Sequence, residues 1–386
     1  MKKAYVLPFC FGMLATFTAA LITCITIYAI MYCTQGGNTT AQGYTQPKQI
    51  APYLYEISYK DYQFDENQTT LNAMEAFGCS SARNGNFYSR NFDFIFDDTP
   101  EFVVRMSAKE GRHASVGVAL HRGLREANMQ AGEYKEQLKL IPNFTLDGIN
   151  DAGVIISDNV VSQKDVKPLT GTNPDGEKLH AGFVPRMVLN EADSADEAIE
   201  LIKSHNIYGE AVSGMYLHYM IADANKTYVV ELIDNKVVVE EKTGDQQIMT
   251  NFYVNMPEIS ENAAGVERYN ILKENYASMN SMEGIRTAFE KVRFSNAYRY
   301  STEPIWYSEA IPKSAADTTD LVTLWEIHNN LDNIRADYWN AITNNTRNPA
   351  NPMFWHTTHN STYDMSKKML RLTVQEDYAH HYDFYL

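Results

Sequence analysis

The chain contains no Gly-x-Gly-x-x-Gly segment, no phosphate-binding loop and no Gly-x-Ser-x-Gly elbow. Dinucleotide chemistry and the serine nucleophile of an α/β-hydrolase therefore lack their usual sequence support. No block of consecutive basic residues occurs either, and 33 Lys+Arg stand against 48 Asp+Glu, for a formal net charge of -15. That balance leaves no electrostatic footprint for a phosphate backbone, so nucleic acid is not an expected partner. The histidines include His356 with His359 and the adjacent His380-His381, but neither pair has the spacing of a zinc helix with a carboxylate partner. No metal and no organic cofactor is expected. Cysteine is scarce: Cys10, Cys24 and Cys33 fall in the N-terminal apolar stretch, which leaves Cys79 without a partner. No disulfide framework holds this fold, and the lone thiol is either an inert core residue or a nucleophile.

What is present is apolar material for a large domain, 44% of the residues, with 12% aromatics and 25 Tyr. That composition leans towards a β-rich core or a pocket for an apolar ligand. The chain opens with Lys2 and Lys3 and then runs from Ala4 to Cys33 without a charge. This exceeds the roughly 20 apolar residues of a span, so residues 4–33 are expected to meet the membrane as an anchor with both lysines cytoplasmic. A signal segment cleaved near Thr18-Ala19-Ala20 is the alternative. Either way, residues 34–386 are expected to be extracytoplasmic. Asn-x-Ser/Thr triplets at Asn38, Asn67, Asn143, Asn225, Asn344 and Asn360 would be glycosylated only in a eukaryotic secretory pathway.

Residues 34–52, rich in Gly, Gln and Thr, read as a mobile linker, and residues 53–77 as an amphipathic segment closing in a helix at Leu71, Met74, Ala76 and Phe77. Strand patterns then follow at 86–96, 101–106, 114–120 and 153–157. Met215–Ala222 and Thr227–Ile233 read as a hairpin joined by Asp223-Ala-Asn-Lys. Ser194-Ala-Asp-Glu197 is a capping box ahead of a helix, further helices are expected at 265–278 and 282–292, and strands return at 354–363 and 369–374. Helices arrive in a block instead of alternating with strands, which predicts an α+β protein of sheet layers covered by helices. No internal repeat and no second domain is visible.

Chemistry concentrates at Gly78-Cys79-Ser80-Ser81 and at Ser89-Arg90-Asn91-Phe92-Asp93-Phe94. A thiol needs a base, and an N-terminal cysteine carries one in its own α-amino group, whose pKa lies near 7.7–8. Cutting the Gly78-Cys79 bond would create that base. Side chains alternate along an extended strand, so Arg90 and Asp93 are expected on opposite faces unless the strand bends or bulges between them.

Here the sequence resembles the N-terminal-nucleophile cysteine hydrolases, which include choloylglycine (bile salt) hydrolases, penicillin V acylases, acid ceramidase and N-acylethanolamine acid amidase. The matching segments are Cys79 followed by Arg90-Asn91-Phe92-Asp93, then Gly148-Ile149-Asn150-Asp151-Ala152-Gly153, Thr250-Asn251-Phe252, Glu267-Arg268-Tyr269, and Thr358-His-Asn-Ser-Thr-Tyr363-Asp364. In the last of these, His359 stands where the family often has tryptophan. The resemblance implies Cys79 as nucleophile and, through its amine, base. It implies Arg90 steadying the thiolate, Asp93 holding the amine, Asn150 and Asn251 lining the oxyanion hole, and Arg268 steadying the charged site. It implies the four-layer αββα sandwich, with a prosegment at 34–78 removed by autocatalytic cleavage of a latent precursor and a hydrolase domain at 79–386. The implied reaction is hydrolysis of a linear non-peptide amide with an apolar acyl group. Alternatives are an acyltransferase of the isopenicillin N acyltransferase type, an inactive surface binding module that keeps the Gly78-Cys79 bond, and a cysteine protease relying on His113, His218 or His356.

Overall fold

The computed structural model describes residues 43–62, 78–95, 99–121, 123–162, 166–209, 215–256, 265–293, 355–375 and 377–386. Strands β1 (Lys48–Ala51), β2 (Leu54–Tyr59), β3 (Gly78–Asn84), β4 (Phe87–Ile95), β5 (Glu101–Met106) and β6 (Ser115–Leu120) precede two short helices, α1 (Glu126–Ala131) and α2 (Lys135–Leu138). Next come β7 (Thr145–Asn150), β8 (Ile155–Ser162), β9 (Lys178–His180), α3 (Val184–Glu191), α4 (Ala195–Ser204) and β10 (Asn206–Tyr208). The hairpin β11 (Met215–Ala222) and β12 (Thr227–Ile233) leads to β13 (Lys236–Glu241), β14 (Ile248–Met249), α5 (Val266–Glu274) and α6 (Met282–Lys291). The chain closes with β15 (Trp355–Asp364), β16 (Met369–Val374) and β17 (Tyr382–Tyr385).

Among the described residues the strands form a nine-stranded sheet, ordered β1-β2-β5-β6-β7-β8-β11-β12-β13, and a six-stranded sheet, β14-β3-β4-β15-β16-β17, beside the small β9-β10 pair. Strand alternation decides what each sheet buries. Val103, Val116, Val118, Ile149, Ile155 and Met220 of the first sheet meet Tyr88, Met249, Tyr363, Leu370 and Leu372 of the second in one buried cluster. The opposite face of the nine-stranded sheet, with Leu146, Ile156, Tyr219 and Ile221, packs on Val184, Met187, Val188, Ala198 and Ile202 of α3 and α4. Across the molecule Ala82 of β3 packs with Leu272 of α5 and Ile285, Ala288 and Phe289 of α6. The layer order is therefore helix, sheet, sheet, helix, the α+β sandwich expected. Each fully buried Leu, Ile, Val or Phe contributes about 1.5–3 kcal/mol, so no layer can be stripped cheaply.

Local signals explain several elements. Ser194 accepts the backbone N–H of Glu197 at 3.2 Å and starts α4, while the Glu197 carboxylate reaches one residue beyond the box, to the N–H of Asp193 at 2.8 Å. Asp223 Oδ1 accepts the N–H groups of Asn225 and Lys226 in the β11-β12 turn. Gly148 lets α3 close on β7: a Cβ there would lie 2.6 Å from Leu189 Cδ1 and 2.9 Å from the carbonyl oxygen of Val116. Of the described Asn-x-Ser/Thr asparagines, Asn225 is exposed in that turn, and Asn143 and Asn360 are buried.

The N-terminal reading needs correction. Residues 43–52, expected as a mobile linker, include β1 and a buried Tyr44, and the segment expected to become helical begins as β2. Leu-Tyr-Glu-Ile-Ser-Tyr alternates with period two, and Tyr55, Ile57 and Tyr59 pack with Phe102 and Val104. That short period is lost when 53–77 is averaged as one amphipathic segment. β2 pairs parallel to β5, from Leu54 opposite Glu101 to Tyr59 opposite Met106. The expected helix end at 71–77 and the apolar run at 4–33 lie outside the described residues. Among the described residues no helix is long and apolar enough to cross a membrane.

Candidate active site

β3 and β4 pair antiparallel with Gly78 opposite Asp93 and Cys79 opposite Phe92. Alternation along β4 sends Tyr88, Arg90 and Phe92 towards the other sheet and Asn91 and Asp93 towards the helices, as the partners of each show. The expectation that Arg90 and Asp93 take opposite faces is thus met, and no bend in β4 is needed. Cys79 lies between them, its side chain on the inner face and its main chain within reach of the outer one.

On the inner side the Arg90 guanidinium stands 3.6 Å from Cys79 Sγ through Nη2. The same Nη2 donates to Asp158 Oδ1 at 2.8 Å and to the Asp158 carbonyl at 2.6 Å, while Nη1 donates to Asp147 Oδ2 at 3.0 Å. Its carbon sits 4.7 Å above the Phe92 ring. Two carboxylates and a ring face therefore aim one planar cation at one sulfur, a geometry that a lysine does not reproduce.

On the outer side Arg268, from the first turn of α5, bridges four groups. It donates to the Cys79 carbonyl at 3.0 Å, Ser80 Oγ at 3.4 Å, Asp93 Oδ2 at 3.3 Å and Asn251 Oδ1 at 2.6 Å. Asn251 Oδ1 also accepts the Cys79 N–H at 3.1 Å, and its Nδ2 donates to the Val160 carbonyl at 2.8 Å. Asn251 thus presents its oxygen, not its amide donors, to Cys79. Thr357 Oγ1 donates to Asp93 Oδ1 at 2.5 Å. Gly265, at φ +81°, begins α5 so close to this loop that a Cβ would lie 2.8 Å from the Asn251 nitrogen. The segment is held from below by Glu231, which accepts the N–H groups of Val254 and Asn255 at 2.7 and 2.9 Å.

Five of the six expected residues, Cys79, Arg90, Asp93, Asn251 and Arg268, are thus brought together. Asn150 is not. It ends β7, where Oδ1 accepts the Val154 N–H at 2.9 Å and Nδ2 donates to the Ala192 carbonyl at 2.8 Å. Its amide is consumed in closing the β7-β8 turn, and its partners do not include the Cys79 group. The histidines of the protease alternative point elsewhere: His218 Nε2 lies 2.7 Å from the Thr250 carbonyl, and His113 lies between Asp151 and Asp193. The side chain of His356 lies outside those described. Sequence reasoning missed Asp147, Asp158 and Glu101, buried carboxylates whose cationic partners Arg90 and His359 lie far off in sequence.

Burial pushes the Cys79 thiol up to about 12 despite the opposing Arg90 charge, so in the uncut chain the sulfur holds its proton. Burial likewise lifts Asp158 to about 7 against the pull of Arg90. His359 behaves oppositely: burial alone would lower it, but Glu101 and Asp147 outweigh that and raise it to about 9. A histidine whose folded pKa exceeds its unfolded value stabilises fully below the unfolded pKa, 6.5 here, and that contribution is lost as pH rises through 9. Asp158, also raised, has already lost its share by pH 7. The urea midpoint of an uncut Cys79→Ala chain is therefore expected to fall between pH 7 and 8.5 by the equivalent of about 2 kcal/mol. Adding His359→Gln should flatten that decline, and a decline that persists undiminished would show His359 uninvolved. Among the described residues no cluster of His, Cys, Asp or Glu is placed to hold a metal ion.

The family model described as acyl-coenzyme A:6-aminopenicillanic acid acyl-transferase matches residues 141–308. That match upholds the likeness to the N-terminal-nucleophile group drawn from the sequence. Among solved structures the chain is similar to a mutant of the conjugated bile acid hydrolase from Clostridium perfringens, at 14% identity over 80% of this chain and 92% of that one, with a TM-score of 0.41. It is also similar to the penicillin V acylase from Agrobacterium tumefaciens, at 16% identity over 77% and 83% of the two chains, with a TM-score of 0.36. No curated protein matches it.

Proposed function

We propose that the chain is an autoprocessed cysteine amidohydrolase that cleaves a linear non-peptide amide C–N bond through a thioester acyl-enzyme. One observation carries this reading: at the residue after a glycine, the nitrogen of Cys79 is held by Asn251, its carbonyl by Arg268 and its sulfur by Arg90. In the precursor, Sγ attacks the Gly78 carbonyl carbon, the Gly78-Cys79 C–N bond breaks, and the nitrogen takes the thiol proton. Water then hydrolyses the thioester and leaves Cys79 with a free amine and thiol. In the mature enzyme the amine takes the thiol proton, the thiolate attacks the substrate carbonyl, the amine returns the proton to the leaving nitrogen, and water releases the acyl group. Asn251 and Asp93 orient the amine, and Arg90 steadies the thiolate. Asn150 is given no part.

An apolar acyl group, of bile-salt, penicillin V or N-acyl amide type, suits the surroundings, because Cys79 belongs to a buried cluster with Phe92, Leu120, Phe144, Leu146 and Phe183. We place the domain outside the cytoplasm, tethered or released according to the fate of residues 4–33. A second reading, transfer of the acyl group to an amine instead of water, is favoured by the acyl-transferase description of the matching family model.

Intact mass and N-terminal sequencing beside a Cys79→Ala control test the mechanism without a known substrate. The wild type is expected to begin at Cys79 and the variant to stay uncut. Incubation with acyl amides, with and without an added amine acceptor, then separates hydrolysis from transfer. An intact Gly78-Cys79 bond in the wild type at every pH, acid included, would overturn the reading in favour of a binding module.

A further inference from the structure

The reaction just described leaves one buried titratable cluster unused. His359 on β15 is fully enclosed, with Nδ1 2.7 Å from Glu101 Oε1 on β5 and Nε2 3.2 Å from Asp147 Oδ2 on β7. Its ring stacks at 5.2 Å on Phe92, the ring that also carries the Arg90 guanidinium. Asp147 accepts from three donors at once, Arg90, His359 and the hydroxyl of Tyr363. Both imidazole nitrogens face carboxylates, so the ring satisfies both only when it carries two protons. With Asp158 protonated the charges then balance, Arg90 and His359 against Asp147 and Glu101, before Cys79 ionises. Were His359 neutral, the positive charge beside Asp147 would come from Arg90, the Tyr363 hydroxyl being neutral, and the cluster would be negative before the thiolate formed.

We infer that His359 is a positioning residue for the nucleophile: by sharing Asp147 it leaves more of the Arg90 charge to hold the Cys79 thiolate. This rests on the reading of Cys79 given above. The charged groups facing the sulfur are Arg90 and Asp93 from β4, Asp158 from β8 and Arg268 from α5. Those facing His359 are Glu101 from β5, Asp147 from β7 and Asp158 from β8. The raised imidazole pKa agrees with a ring that stays charged at neutral pH. The role acts through Asp147 and Arg90, so it changes the ionisation of the thiol, not the fit of the substrate.

The test follows alkylation of Cys79 by iodoacetamide against pH in the cut, full-length protein, for wild type, His359→Gln and Glu101→Gln. His359→Gln is expected to move the thiol inflection up by about one unit, slowing alkylation near pH 7 about tenfold while the high-pH plateau is kept. Glu101→Gln removes the largest interaction that keeps His359 charged, so it too should move the inflection up, by less than His359→Gln. A merely structural role would change stability without moving the inflection. A cut His359→Gln protein with the wild-type profile overturns the inference. Should that variant fail to fold, an unmoved or downward inflection in Glu101→Gln overturns it instead. A wild type whose Cys79 never becomes terminal, or never alkylates, fails the functional reading itself. A reactive wild type with unmoved variants fails the inference alone.

Discussion

Arg90→Gln is expected to abolish cutting at Gly78-Cys79 and to destabilise the chain by about 3–5 kcal/mol, the usual consequence of removing one partner from a buried charge group. The magnitude follows from what is left behind. Asp147 and Asp158 are both fully buried, and each is paired to the guanidinium at 3.0 and 2.8 Å. Asp158 takes up a proton near neutrality and escapes part of the penalty, but Asp147 is held below the usual carboxylate range by His359 and Arg90 against the effect of its burial. It would be left with one cation for its charge. Arg90→Lys should fold better yet cut slowly, because one ammonium cannot fork to two carboxylates and the sulfur. Urea melts and intact mass measure both effects. A glutamine variant cut at the wild-type rate would remove Arg90 from the mechanism.

Cutting is also expected to leave the N-terminal fragment in place. β2 is an interior strand, paired with β1 on one side and with β5 on the other. Tyr55, Ile57 and Tyr59 are buried, and the Tyr59 hydroxyl donates to the Leu138 carbonyl at 2.5 Å. Burial of about 1.5–3 kcal/mol for each such side chain rivals the whole stability of a typical domain, about 5–15 kcal/mol. If the chain is cut as proposed, the segment expected as a removed prosegment would therefore stay as a second subunit. Gel filtration should return both fragments together, and denaturant should separate them. A chain beginning at Cys79, made without residues 43–62, should not fold. Recovery of the 79–386 piece alone, soluble and reactive, would refute this.

Most central strands were legible, because alternation and turn chemistry are local: Glu101–Met106, Met369–Val374 and the Asp223 hairpin lie where their patterns put them. The helix after Ser194 was equally legible, since its cap is four residues long. β2 was not, because its period is visible only over six residues and its partner strand lies beyond another sheet. Within the site, Cys79, Arg90, Asp93, Asn251 and Arg268 were found by likeness to a family. Asp147, Asp158 and Glu101 were not, because a buried carboxylate makes sense only beside a cation that is distant in sequence. Asn150 was named by the same likeness, and its amide binds the Ala192 carbonyl and the Val154 N–H, away from Cys79.

The pairing of β4 with β15 has a kinetic consequence. Thr357 lies 264 positions after Asp93, the residue it holds, and the two strands are neighbours along nearly their whole length. Contacts so far apart in sequence form slowly and late, since a long loop must close before they repay its entropy. On the ribosome, Thr357 emerges 264 residues after Asp93, so the Gly78-Cys79 junction and Arg90 wait for β15 through all of that synthesis. On the proposed reading, self-cleavage would be a timestamp: it would mark a molecule in which β4 and β15 have found each other, and a chain truncated before Trp355 should carry no such mark.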